Sequence, residues 1–462
     1  MTRSERTTAL ALVHDGWRQL RLQRPLAAWA AWQRALRVEP QDRAAREALD
    51  RLAEAAELPA AARAAYRFRT PRGDDRRVLW DAQLRGRDVE ELDSAAAAFA
   101  ALADADPTDA PARFNQALCL AWRGRNAEAL ATLDRVVALE AADHGDEAVE
   151  AWTLAEILRQ GAGAERFADD FSHTLAIAWG DEDGDPTALA APGLIRPVPG
   201  PLVPGAGVPA ARVYEWLDRP MPEPAAELKA EDLPRVLASV VLTAGTLRLA
   251  TPHPLGRHED AFGHAFGDQA LPARWEATPL PLDLLDAAVW TFRLPPGLDE
   301  DDRRRLTREA VESYFETEWI HLGRLGLAPH PGGPGGPVGV VSPAEAGRRA
   351  AEGDASSRVR LAAVIRLREQ LGARPHTAAL YAGYPFDRLR RRVGLEPDDP
   401  AAVDPADVSC MGAAELGRLD PAALDPRTLA DAHRSALTLL DHAAGARLAA
   451  ALARTPPRET PP

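Results

Sequence analysis

Lysine is almost missing from this chain. Lys229 is the only one in 462 residues, so 54 of the 55 basic side chains are arginine. It lies in AAELKAEDL with no glycine loop before it. Phosphate loops that end in lysine, protein-kinase sites and lysine Schiff-base enzymes each need a lysine in a defined setting, and none is available. Cysteine is nearly as scarce: Cys119 and Cys410 cannot build a disulfide framework, and they fit a reducing cytosol. No run approaches the roughly 18 apolar residues of a membrane span. The opening MTRSERTTALALVHDGW has no apolar core of signal-peptide kind, so a cytoplasmic protein without a membrane partner is expected. An excess of positive charge is absent too. The net charge of −14 argues against a general affinity for nucleic acid or an anionic surface. H-E-x-x-H, G-x-S-x-G and G-x-G-x-x-G spacings are also missing, so no catalytic residue and no cofactor is expected.

What the chain does have is helical periodicity. Hydrophobic content of 46% with 27% charge is that of a globular protein, and the length calls for about two to four domains. Between Arg113 and Asp143, apolar residues recur at Phe114, Ala117, Leu118 and Ala121. Gly124 then interrupts, and Ala127, Leu130, Leu133, Val136 and Val137 follow. That is two amphipathic helices joined by a glycine turn. A hairpin so small cannot bury its faces alone and requires stacked copies. A small residue with a large one four places later returns along the chain. Ala28 with Trp32, Ala62 with Tyr66, Ala95 with Phe99 and Ala129 with Leu133 are spaced by 34, 33 and 34 residues. The small residue lets two helices approach, and the large one fills the space toward the next hairpin.

On these residues, with Gly16, Ala35 and Pro40 in the first unit and Ala117, Gly124 and Ala129 in the fourth, the chain resembles the tetratricopeptide repeat family over residues 9–178. The second unit is degenerate, with Arg69 where a small residue is usual. The third carries extra residues before Ala95. A fifth pair, EAVEAWTLAEILR and ERFADDFSHTLAIAW, is expected to cap the stack as two helices. The resemblance implies a groove lined by the first helix of each hairpin, which binds a protein or peptide partner. By register that groove includes Trp17, Trp80, Phe114, Leu118 and Trp122. Aromatic residues there make good anchors; the alternative is that Trp17 and Trp122 are core between hairpins. A lysine-based clamp on a C-terminal carboxylate is excluded by the composition.

The expected fold is mainly α: a helical-hairpin repeat solenoid over residues 1–178, then a small α+β unit and further helices. Ten prolines between Pro186 and Pro224 make 179–232 an extended linker. Residues 233–295 form the α+β unit, with strands at Val236 to Leu242 and Thr246 to Ala250 turning at Ala244-Gly245. A short helix at His258 to Phe266 and a strand at Ala273 to Thr278 complete it. Residues 296–380 are helical, with acids at the start of DEDDRRRLTREAVESYFETEWIHLG and a capping box of Ser342 with Glu345. RVRLAAVIRLREQL then makes an amphipathic helix. Trp319, Ser342, Pro343, Glu345 and Ala346, in that order, are similar to the toxin-binding domain of bacterial antitoxins, which implies a toxin-like protein partner. A metal-dependent enzyme is the remaining reading: His253, His258 and His264 cluster with acids, and Glu318 with His321 share a helix face. Arg388 to Arg392 is a strongly basic run that could hold phosphate or nucleic acid, but the acidic residues that follow favour a solvated or salt-bridged helix face. Residues 381–454 are helices broken by Asp-Pro turns, and 455–462 a disordered tail.

Overall fold

The computed structural model describes residues 3–21, 25–54, 68–71, 89–160, 168–179, 185–199, 212–225, 227–243, 245–252, 259–266, 275–280, 285–286, 291–329, 339–373, 381 and 383–454. These residues are mainly helical and include a six-stranded antiparallel sheet. Among them, no helix is long and apolar enough to cross a membrane.

The N-terminal helices are α1 (Arg3–Arg21), α2 (Pro25–Val38) and α3 (Arg43–Glu54). The small-and-large logic of the sequence holds at atomic level. Trp32 and Ala28 are fully buried, and a Cβ on Gly16 would lie 2.1 Å from the Trp32 ring nitrogen. Glycine at that position lets α1 lie directly on the indole, whose N–H donates to the Val13 carbonyl at 3.2 Å. Next come α4 (Val89–Ala105), α5 (Ala110–Trp122), α6 (Asn126–Glu140) and α7 (Gly145–Gln160), and these four pack in succession. Ala95, Phe99, Ala129 and Leu133 all lie in their shared core. Ala62 and Tyr66 fall outside the described residues.

Two expectations fail after α7. FSHTLAIA is not a second capping helix but strand β1 (Phe171–Ala178). Its alanine and leucine suit a helix in isolation, yet Leu175 and Ile177 point inward while Ala176 and Ala178 are exposed, the period-2 pattern of a half-buried strand. Nor is 179–232 a plain connector: it supplies β2 (Ile195–Pro197) and β3 (Arg212–Leu217). The prolines masked the alternating Val213, Tyr214, Glu215 and Trp216, and Pro197 is tolerated because β2 is an edge strand.

The remaining strands are β4 (Val236–Thr243), β5 (Thr246–Thr251) and β6 (Glu276–Pro279), in the order β2-β3-β4-β5-β1-β6. The β4–β5 turn lies where the sequence placed it, with Gly245 at φ 73°. Opposed residues set the register: Tyr214, Val240, Leu249 and Leu175 line up across four strands. That apolar row is covered by α8 (Glu259–Phe266), whose Phe262 meets Trp216 edge to face at 5.4 Å.

The C-terminal half begins with α9 (Glu300–Ser313), capped by Asp299 and started by Glu300, Asp301 and Asp302 as the helix dipole favours. It runs on through a π-helical turn, Tyr314–Glu318, to Trp319, which is fully buried. Helix α10 (Pro343–Ala351) is capped by the Ser342 hydroxyl as expected, while the Glu345 carboxylate is engaged by Arg348 and Arg349. Gly347 lets α10 touch backbone, since a Cβ there would lie 2.0 Å from the Val393 carbonyl. Helix α11 (Ala355–Gly372) is not amphipathic. Val359, Leu361, Ala363, Val364, Ile365, Leu367 and Leu371 are all buried, on several faces. It packs along α7, where the sequence led us to expect the second helix of the last hairpin. The chain ends in α12 (Phe386–Arg392), α13 (Ala413–Arg418), α14 (Pro426–Thr438) and α15 (His442–Leu452), the last two paired as a hairpin. The Asp-Pro pairs here start helices: Asp425 caps α14, and Asp399 and Asp420 cap short 3-10 turns.

Candidate partner-binding groove

Helix α5 is set by its ends. The Asp109 carboxylate accepts from the Ala112 N–H at 3.0 Å, and Gly124 closes the helix at φ 73°. The face expected to line a groove carries Phe114, Leu118 and Trp122, with Asn115 beside them. All four are buried, at 1%, 0%, 3% and 0% exposure respectively. Part of what covers them is the chain's own residues 68–71. Phe68 lies 4.9 Å from Phe99 and 6.5 Å from Trp122, ring to ring.

Asn115 holds this segment by its backbone. Its Oδ1 accepts from the Arg69 N–H at 2.8 Å, and its Nδ2 donates to the Arg69 carbonyl at 2.8 Å. One side-chain amide reaches both groups of one residue only where they point the same way, as in extended backbone. A buried amide would otherwise carry a desolvation cost, which these two bonds offset. The Arg69 side chain is held as well. Its guanidinium stands 3.9 Å over the Phe114 ring and donates to Glu140 at 2.9 Å and to the Glu147 carbonyl at 2.8 Å. The Glu147 and Glu150 carboxylates lie at 3.9 and 3.7 Å. Burial raises the Glu140 carboxyl above its ordinary range, and Arg69 works against that rise. The seat thus reads a backbone amide pair, an aromatic ring and a planar cation.

Trp17 is half-buried in α1, edge to face with Trp32 at 5.0 Å, and belongs to a different cluster from the α5 residues. Trp80 lies outside the described residues. Arg69 is not in a helix, so the second repeat unit does not place it as its register implied. Asn115, Phe68, Arg69 and Glu140 were not singled out from sequence as groove residues. Asn115 had a signal: it is a polar residue three and seven positions before Leu118 and Trp122, hence on their face.

The other chemistry flagged in the sequence is committed elsewhere. Glu318 pairs with Arg235, and His321 contacts the Thr438 carbonyl. His253 and His258 are outside the described residues, and among those described no group of three or more His, Cys, Asp and Glu gathers as metal ligands would. Cys119 is buried, and burial pushes its thiol up. The basic run on α12 is largely internal: Arg388 pairs with Glu316, Arg390 with Glu369 and Asp398, and Arg391 with Glu415. Arg392 donates to Met411 and Ser435, and burial lowers it to about 10.

A second buried constellation joins α7, the start of β1 and α11. Arg368 donates to Glu156 at 2.9 Å and Asp286 at 3.2 Å; Arg324 donates to Asp170 at 2.9 Å and Asp286 at 3.2 Å. Arg159 completes it with Glu156 and with Asp169 at 3.0 Å. Burial alone would raise Glu156, but Arg159 and Arg368 overcome it and hold the carboxyl at about 2. Three guanidiniums face four carboxylates, and Asp170, half-buried and close to Asp286, is pushed up to about 6. Glu156, Asp286, Arg324 and Arg368 are fully enclosed, and the network links α7, the start of β1 and α11. Two adjoining cavities of about 380 and 370 Å³ lie instead beside α12 and α13, sharing Gly394 and Ala414. Comparison of this chain with protein-family models, curated proteins and solved structures gives no match.

Proposed function

We propose that this chain is a non-enzymatic, cytoplasmic interaction scaffold, and that its helices α4 to α7 bind a protein or peptide partner along α5. The observation that carries this reading is Asn115, a buried amide holding a peptide backbone by its N–H and its carbonyl at once. Such a grip reads main chain, which any protein segment can offer, and the rings and acids around it supply selectivity. The spacing of the small and large residues supports a tetratricopeptide-like arrangement of these helices. Affinity capture with the full-length chain, followed by cross-linking and peptide mapping, tests it. Cross-links from a specific partner to α5, α6 or α7 are expected; recovery of no partner above control, or cross-links confined to the C-terminal helices, would sink the reading.

A second reading has its own observation. Of the large apolar side chains exposed among the described residues, Leu322, Val340, Leu437 and Leu440 belong to the segments around α10 and α14. Val340 lies over Gly323, and His321 contacts the Thr438 carbonyl, so the segments that carry these side chains meet. Leu322 and Val340 of the middle domain, with Leu437 and Leu440 of the C-terminal helices, suit capture of a toxin-like protein. Co-purification with a small protein encoded next door, lost in Leu322→Asp, is the expected result under this reading; unchanged recovery in that variant counts against it.

A further inference from the structure

We infer that residues 68–71 are an internal plug: they sit on α5–α7 in the place of a partner segment, and the groove takes an extended segment in which arginine directly follows an aromatic residue. This deepens the scaffold reading and rests on it. The seated segment belongs to no helix or strand, and its grip consists of interactions that another chain can reproduce. Asn115 supplies the backbone pair, while Phe99 and Trp122 receive the ring of Phe68. Phe114 and the acids Glu140, Glu147 and Glu150 receive the cation.

The chemistry selects arginine over lysine. A guanidinium is flat, so it lies on the Phe114 ring while its edge donates to Glu140 and to the Glu147 carbonyl together. An ammonium cannot stack in that way. The same acids dictate how the plug leaves. Glu140 is buried with Arg69 as its close cation, so an emptied seat would hold a carboxylate stripped of both water and partner. Departure without replacement is therefore unfavourable, and the plug is exchanged for a matching segment instead of simply opening. An intramolecular occupant competes at high effective concentration, so partner binding is held back until the partner matches well or the plug is weakened.

The test uses full-length protein and a fluorescein-labelled peptide, AYRFRTPRG, which copies residues 65–73. Anisotropy titrations compare the unaltered chain with the double variant Phe68→Ala/Arg69→Ala. The double variant is expected to bind the peptide at least about tenfold more tightly, because its own plug no longer competes. Adding Asn115→Ala or Glu140→Gln should abolish the gain, and replacing the peptide's Phe or its following Arg by Ala should do the same. Equal affinity for both proteins, with a cooperative thermal transition kept by each, overturns the plug; so does a gain that survives Asn115→Ala. If the double variant loses its cooperative transition, Arg69→Ala alone is titrated, and absence of a gain there overturns the inference equally. The two readings separate cleanly. Cellular cross-links to α5–α7 without any peptide gain reject the plug and leave the scaffold, whereas a peptide gain without a cellular partner supports the plug and rejects the scaffold.

Discussion

Arg368 and Arg69 both stand among carboxylates, and the molecule holds them in opposite ways. Arg368 projects from the middle of α11, is wholly enclosed, and meets Glu156 of α7 and Asp286. Arg69 lies on a short irregular stretch, keeps 14% of its side chain exposed, and is held through one amide, one ring and acids at helix ends. The first is a joint: its partners come from segments far apart in sequence, and no single part leaves without dismantling the others. The second is a seat, whose occupant is local and copyable. Buried ion pairs of equal geometry thus differ in kind by what carries them. Breaking each pair in turn is the way to test this contrast.

The largest effect belongs to the joint. Arg368→Met removes the cation shared by Glu156 and Asp286, leaving Glu156 to Arg159 and Asp286 to Arg324, and loss of one partner of such a buried network costs about 3–5 kcal/mol. Chemical denaturation of the full chain measures it. A loss under about 1 kcal/mol would mean that the network is not what joins α7 to α11.

Trp122 comes next. It is 3% exposed and packs near Phe68, so Trp122→Ala should lower stability by about 3 kcal/mol through cavity formation. A thermal transition that hardly moves would return Trp122 to the open groove that its register suggested, and would put the covering segment in doubt.

Much of this contrast was hidden from the sequence for identifiable reasons. Helix positions and the strands β4 and β5 were legible because each carries its own period and its own turn chemistry, as Gly124, Gly245 and Ser342 show. The pairing of α11 with α7 was not, since a helix buried on several faces has no single apolar stripe to mark its partner, and Arg360 and Arg368 are charged side chains that turn inward. Strand β1 was read as helix because Leu, Ala and Ile satisfy either period over so short a run, and the neighbours β5 and β6 that decide the matter lie far along the chain. For the seat, Phe114 and Trp122 were found as aromatics at the right spacing. Their covering segment was not, because Phe68 and Arg69 carry no periodicity, and the bonds that hold them come from Asn115, which lies 46 positions after Arg69.

A single substitution at Asp170 tests the joint by acid titration. Asp170, raised to about 6 by burial and by its neighbour Asp286, holds its proton more tightly in the folded chain than in the unfolded one. Its contribution to stability is therefore full below the unfolded value of about 4 and is lost as pH rises through about 6. Glu156, held at about 2, acts in the opposite sense and mainly at lower pH. Glu140 and Glu312, also raised by burial, act in the same sense as Asp170, so its share is the difference between variant and parent. Asp170→Asn should remove its part of that slope, changing the stability difference between pH 4.5 and 7 by about 1–2 kcal/mol. Parallel denaturation profiles for variant and parent across this range would reject the assignment.

The smallest effect is the most informative about the seat. Arg69→Ala removes the cation over Phe114 and the bond to the buried Glu140, but the Arg69 side chain is itself 14% exposed, so water can enter the space it leaves and offset part of the cost. The expected loss is about 1 kcal/mol, with the cooperative transition kept. Glu140→Gln in the same background should restore part of it, because the stranded charge disappears with its cation. The ratio of this loss to that of Arg368→Met then measures the contrast directly. If Arg69→Ala cost as much as Arg368→Met, residues 68–71 would be a second joint, and no partner segment could take their place without unfolding the helices around them.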